Sequence, residues 1–279
     1  EIGSGLVGSE MCIRDRQPGL CPVCGSKYIS GFKAGTQKIE QVVKARFPQA
    51  RVLRMDMDTT RTKDGYEQIL SAFSNHEADI LIGTQMIVKG HDFPGVTLVG
   101  VLAADLSLYI SDYRASERTF QLLTQAAGRA GRGDIPGNVI IQTYDPDHYS
   151  ITTAKEQNYE AFYGQEIEYR KMMRYPPVWN MLYILCASKN EAEASEAAVA
   201  LMGKIDQIVR ENSEKIFPIG PSDAPVAKIS DVYRKVIYVK TREYQTLVIL
   251  KDGLEAFIKD NRLYQNVAVG FDFNPVNGF

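Results

Sequence analysis

The chain has 279 residues, of which 44% are hydrophobic and 24% charged, the balance of a globular protein long enough for two domains with their own cores. Its net charge of −2 and pI of about 6.0 carry no global signature of nucleic-acid binding, so any case for DNA must rest on local motifs. No apolar run approaches the roughly 20 residues that cross a bilayer, and Cys12, Cys21, Cys24 and Cys186 are too unevenly spaced for a secreted disulfide framework, which points to a reducing cytoplasm.

Residues 1–17 contain no signal-peptide pattern and include the linker-like Gly3-Ser4-Gly5-Leu6-Val7-Gly8-Ser9; they read as a leader foreign to the fold. Residues 18–32 surround Cys21-Pro22-Val23-Cys24-Gly25. Residues 33–149 then alternate strands and helices. The Val, Ile and Leu blocks at 51–55, 80–83, 98–103 and 139–143 read as buried parallel strands. Thr36 is placed to cap a helix through Ala45 with Ile39, Val42, Val43 and Phe47 on one face. Tyr66, Ile69, Leu70 and Phe73 mark a second helix, and Phe120, Leu122, Leu123 and Ala126 a third. This alternation implies α/β architecture, a parallel sheet covered by helices on both faces, which is the shape that a RecA-like helicase lobe has.

One long polar linker helix is expected within residues 150–178, ended by Tyr175-Pro176-Pro177, and is taken as the domain boundary. From 179 to 279 the order is strand (181–187), helix (191–212), strands (215–220 and 235–240), helix (244–260) and strand (266–271). This βαββαβ pattern predicts an α+β ferredoxin-like domain.

The strongest chemical motif is Gln125-Ala126-Ala127-Gly128-Arg129-Ala130-Gly131-Arg132-Gly133. Arg129 and Arg132, following a helix that carries Gln125, can aim planar, permanently charged guanidiniums across a cleft at a nucleotide's phosphates. A helix end satisfying its last carbonyls is the plainer alternative. A second motif follows a strand at 80–83. There the Thr84 hydroxyl, with Gln85 and exposed backbone amides beside it, can hold a DNA phosphate. Gly90 lets backbone approach a nucleotide, and Asp92 can accept from a ribose hydroxyl or position water, although Gly90-His91-Asp92 alone also fits an ordinary turn.

Taken together, Gly83-Thr84-Gln85-Met86, Lys89 to Pro94, Asp112-Tyr113-Arg114-Ala115-Ser116-Glu117-Arg118 and Gln125 to Arg132 resemble the PriA (primosomal N′) family of superfamily 2 helicases. Arg54 to Thr59 resembles the entry strand of that family's second lobe, and Asp272-Phe273-Asn274-Pro275 its terminal D-x-x-P. The resemblance runs from about Leu20 to Phe279. It implies a 3′-to-5′ DNA helicase that restarts stalled forks, binds zinc, and meets primosome proteins and single-stranded-DNA-binding protein, as a monomer. It implies that Arg132 is the arginine finger beside Arg129 and Gln125, that Gly90 and Asp92 face the nucleotide, and that Thr84 contacts DNA backbone. Asp105, Arg114 and Glu117 fall in family-like segments, where lobe-stabilising salt bridges are the expected role.

Cys21 and Cys24 can fill two corners of a tetrahedral zinc site that needs four, and neither Cys12 nor Cys186 is spaced to complete it. A redox pair is the rival reading, but such motifs open a helix after a strand. By resemblance the pair is half of a zinc site. Lys228, Tyr233, Arg234 and Lys235 can grip single-stranded DNA by charge and stacking, or simply form a mixed edge strand.

The sequence holds no G-x-x-x-x-G-K-[ST], since Gly203-Lys204 is followed by Ile205, and no D-E-x-H pair for magnesium. The expectation is therefore half of an ATP–Mg²⁺ site, inactive alone. A fork-binding primosome scaffold that does not unwind is the rival from another class, and a generic translocase on RNA or duplex DNA is a third.

Overall fold

The computed structural model describes residues 35–60, 65–88, 93–110, 112–131, 136–211 and 215–276. They form two compact units, one from the described residues up to 110 together with 115–162, the other from 112–114 together with 163–276.

In the first unit, α1 (Thr36–Arg46) leads to β1 (Val52–Met55), α2 (Gly65–Ser74), β2 (Ile80–Gly83) and a 3-10 turn at Gln85–Val88. Then come β3 (Leu98–Val101), a 3-10 turn at Ala104–Ser107, α3 (Ala115–Ala127), β4 (Asn138–Ile141) and α4 (Tyr149–Lys155). The strands are parallel, as their apolar runs predict, and pair as β1 with β2 and β3 with β4. Among the described residues these pairs form two two-stranded ladders, where the sequence leads one to expect one sheet.

In the β1–β2 ladder Leu81 packs toward the α2 cluster and the alternate residue Ile82 is buried as well, with α1 and α2 both against β1. In the β3–β4 ladder Val101 and Ile141 pack toward Ala104, Phe120, Leu123, Ile151 and Phe162, while Leu98 and Ile140 on the opposite face are 60% and 61% exposed. The expected face of α1 also stays open: the helix has no buried residue, and Val42 and Phe47 lie exposed. Gly35, not Thr36, occupies the N-cap. Thr36 lies inside the helix and its hydroxyl donates to Asp56, so the β1 turn takes the group a cap would use.

The expected single helix over 150–173 is two helices, α4 and α5 (Tyr159–Met173). Gln157 takes a left-handed φ of 52° and the Asn158 carboxamide oxygen accepts from the Ala161 amide, restarting the helix. Nor is the segment simply polar. Ser150, Ile151, Thr153, Ala154 and Phe162 are buried in the first unit, with Phe162 stacked on Phe120 at 4.3 Å.

The second unit contains β5 (Asn180–Ser188), α6 (Glu191–Glu211), β6 (Phe217–Ile229), β7 (Val232–Thr241), α7 (Tyr244–Lys259), a 3-10 turn at Arg262–Tyr264 and β8 (Ala268–Phe273). The antiparallel sheet has the order β6-β7-β5-β8, so the expected βαββαβ ferredoxin-like topology holds. Alternate residues of β5 and β7 meet α6 and α7: Leu182, Ile184, Ile237, Val239, Leu201, Ile205, Leu247, Leu250 and Leu254 are all within 1% of complete burial. Each such side chain contributes roughly 1.5–3 kcal/mol relative to exposure. β6 runs far past the predicted 215–220, through a register shift between Asp223 and Lys228, and Ala224 buries on the other sheet face against Tyr183 and Val236.

The loop at 112–114 belongs to this second unit. Tyr113 stacks on Tyr175 at 5.2 Å, donates its hydroxyl to the Pro275 carbonyl, and lies 5.4 Å from the Arg170 guanidinium. The D-F-N-P tail is structural on the same side, with the Asn274 side chain accepting from the Met181 amide and its backbone N–H donating to the Met181 carbonyl.

Candidate functional site

The carboxyl ends of parallel strands are where an open α/β sheet presents its loops. At the end of β2, Gly83 lies so close to β1 that a Cβ would stand 2.6 Å from the Met55 carbonyl oxygen. Only glycine lets the chain turn there. Thr84 and Gln85 follow directly, both exposed, with the Thr84 carbonyl accepting from the Ile87 amide at 3.2 Å to close the turn.

At the end of β1, Asp56 is buried. It accepts from the Thr36 hydroxyl and from the Asp58 and Thr59 amides at 3.0 Å, with Arg54 at 3.4 Å. Burial alone would raise its pKa, but those donors and the Arg54 charge together hold it below the usual carboxylate range.

α3 carries Gln125, exposed, into a turn containing Arg129, half-buried, whose amide donates to the Ala126 carbonyl. Gly131 then takes φ 73°, and its amide donates to the Val96 carbonyl at 3.0 Å. A Cβ on Gly131 would stand 2.5 Å from the Gly137 nitrogen, so the motif's glycine serves backbone closure. The hydrogen bond ties the arginine turn to the Phe93–Val96 segment, and α3 also packs on the Gln85–Val88 turn. Thr84, Gln85, Gln125 and Arg129 all belong to this one unit, with the helix that carries Gln125 packed on the turn that begins at Gln85. Arg132, Gly90, Asp92, Cys21 and Cys24 lie outside the described residues.

Asp105 is a residue whose role the sequence did not supply. It is 4% exposed and forms hydrogen bonds where salt bridging is expected: it accepts from the Thr143 hydroxyl, the Tyr144 amide at 3.0 Å and the Asp145 amide at 3.3 Å. Burial pushes its pKa up, but the Thr143 hydroxyl and these amides outweigh it and leave the group lowered. Its ligand set is the turn after β4. The available signal is an acid standing directly after an apolar strand, where turn amides lack partners.

In the second unit, the predicted DNA-binding cluster is already occupied by carboxylates. Lys228 pairs with Asp231 at 2.8 Å beneath the Tyr233 ring, and Lys235 pairs with Asp223 and with Glu191 at 3.7 Å. Arg234 donates to the Val226 carbonyl and lies beside the Tyr183 hydroxyl. A different set of cations stands on aromatic rings. The Arg174 guanidinium is 3.6 Å from the Phe217 centroid and 5.6 Å from Trp179, and Arg242 is 5.3 Å from Trp179. Lys240 is buried, 3.8 Å from the Tyr175 centroid, and donates to the Met173 carbonyl. Burial, then the Arg174 charge, pulls its pKa down to about 8. Sequence reading missed these because the residues are scattered from 174 to 242.

Comparison with known proteins matches residues 27–134 to the helicase conserved C-terminal domain and residues 171–276 to the primosomal protein N C-terminal domain. The chain is 46% identical over 262 residues to the replication restart protein PriA of Bacillus subtilis, covering 92% of this chain and 32% of that protein. It is 42% identical over 233 residues to the protein of the same name from Synechocystis, covering 84% and 28%. The corresponding Chlamydia pneumoniae protein is 41% identical over 226 residues, covering 80% and 30%. The chain spans about a third of the length of the curated relatives it matches.

Proposed function

Because the chain belongs to the PriA family of replication restart proteins and matches its C-terminal part, we propose that it supplies the second motor lobe and fork-binding domain of an ATP-dependent 3′-to-5′ DNA helicase. The observation that supports this reading best is the hydrogen bond from the Gly131 amide to the Val96 carbonyl, which closes the Gln125–Gly131 turn onto the Phe93–Val96 segment, while the helix carrying Gln125 packs on the Gln85–Val88 turn. Those two motif stretches are the ones a translocating lobe must move together.

In this reading, Arg132 and Arg129 present charge to the transferring phosphoryl group of ATP bound with Mg²⁺ against another lobe, and Gln125 holds the approach to it. Arginine suits the task because its charge is permanent and its donors fan out in one plane. Gly90 and Asp92 border the nucleotide. Thr84 and Gln85 hold a DNA phosphate as the lobe steps. Cys21 and Cys24 supply two thiolates of a zinc site whose other ligands lie elsewhere in the whole protein. Forked and single-stranded DNA, primosome proteins and single-stranded-DNA-binding protein are the proposed partners, with a monomer in the cytoplasm as the working state.

The test is Arg132→Ala in the full-length protein. ATP turnover at saturating DNA falls on the order of 10³-fold or more, while DNA affinity barely changes. Normal turnover combined with weakened binding and a salt slope reduced by about one unit would instead make Arg132 a DNA phosphate contact.

A further inference from the structure

The Lys228 and Lys235 ammonium groups have carboxylate partners. Arg174 and Arg242 do not: among the described residues neither makes an ion pair, and the adjacent Glu243 forms none with Arg242. Arg174 and Arg242 are both exposed residues, while Trp179, the ring they share, is only 8% exposed. An arginine lying on a ring keeps its in-plane N–H donors for a further acceptor.

The backbone holds both in place. Arg174 ends α5 at a left-handed φ of 57°, its amide bonded to the Lys171 carbonyl, and the Arg242 carbonyl accepts from the Asn180 carboxamide at 2.7 Å. With the backbone fixed and the guanidiniums seated on rings, less side-chain freedom is lost when an anion arrives. A third cation stands nearby: buried Lys240 lies 3.8 Å from the Tyr175 centroid, donates to the Met173 carbonyl, and feels the Arg174 charge.

We infer that Arg174 and Arg242, seated on Trp179 and Phe217, form a binding site for the phosphate backbone of a nucleic acid strand in the C-terminal unit. The buried ring excludes base stacking, so recognition is of phosphate spacing and not of sequence. This rests on the reading that the chain acts on DNA, and it moves the DNA contact of this unit away from the cluster at 228–235.

Trp179 is the only tryptophan in the chain, so its emission reports the site directly. The 279-residue chain is titrated into a labelled oligo-dT strand, following label anisotropy and Trp179 emission together. The expected result is an emission change that saturates with the anisotropy, and similar binding of oligo-dA. Arg174→Gln and Arg242→Gln each weaken binding several-fold and lower the salt slope by about 0.7, while Arg→Lys at either position keeps most of the slope. Melting curves establish that the variants fold, and the wild-type emission signal stands independently of them. If the oligonucleotide binds with Trp179 emission and the slope of both Gln variants unchanged, the proposed site is overturned while DNA binding by the chain stands. If no strand binds at all, the functional reading fails with it. A glutamate-rich peptide that moves Trp179 emission where oligonucleotide does not would overturn the ligand class.

Discussion

Replacing Asp105 with alanine removes the acceptor for the Thr143 hydroxyl and for the Tyr144 and Asp145 amides at once. Hydrogen bonds to a charged group contribute roughly 1.5–3 kcal/mol each, though a shared acceptor makes them non-additive. Tyr144 is 91% exposed, so water can reach part of the turn once it opens, and this limits the penalty. The expected loss for Asp105→Ala is about 3 kcal/mol, and for Asp105→Asn, which keeps one acceptor oxygen, about 1–2 kcal/mol. Urea melts of the chain followed by far-UV circular dichroism measure it, while Trp179 emission follows the other unit separately. The sign with pH follows from the lowered pKa. The native carboxylate holds its proton less tightly than the unfolded one, so its contribution is complete above the unfolded pKa of about 3.9 and disappears as pH falls through the folded value. The gap between wild type and Asp105→Asn therefore narrows below about pH 4. An alanine variant within about 0.5 kcal/mol of wild type at pH 7 would refute the assignment of Asp105 as the organiser of this turn.

The chain alone is expected to show no DNA-stimulated ATPase activity, because its sequence contains neither a phosphate-cradling lysine motif nor a magnesium-binding acid pair; turnover that persists through purification and disappears in Arg132→Ala contradicts this. Elemental analysis is expected to give less than one tightly bound zinc per chain, and a full equivalent in a monomer would mean that Cys21 and Cys24 find two further ligands. Lys240 has a pKa lowered to about 8, so the unfolded chain holds its proton longer and stability rises as pH climbs from about 8 toward the unfolded lysine value. Lys240→Met removes that rise, which Trp179-detected melts at pH 7 and pH 10 read directly; an unchanged pH dependence would mean the amine is not desolvated.

The strands other than β6 were legible because each carries an apolar run whose period shows through without any neighbour, and βαββαβ followed from their order, while the 13-residue β6, with its Gly, Pro, Ser and Asp, was seen only in its first part. What sequence did not disclose depends on partners distant in the chain. Gln157 breaks the helix over 150–173 without glycine or proline, using a left-handed residue and an Asn158 cap that a polar helical pattern disguises. Lys235 reads as a free cation until Asp223 and Glu191, on other elements, appear beside it. Trp179 acquires Arg174 from a helix end and Arg242 from the end of β7, a juxtaposition created only by the sheet. The apolar residues of α1 show the opposite error, since periodicity predicts a face without saying that anything covers it.

The placement of Tyr113 bears on how this chain can be dissected. Its ring and hydroxyl are held by Tyr175 and Pro275, yet the next residue but one, Ala115, begins the helix that carries Gln125. A cut between 150 and 178, where the sequence suggests a boundary, would part Tyr113 from Pro275, and one placed before 170 would part it from Arg170 and Tyr175 as well. Expressing the two halves as independent proteins therefore calls for altering that loop as well as choosing a terminus.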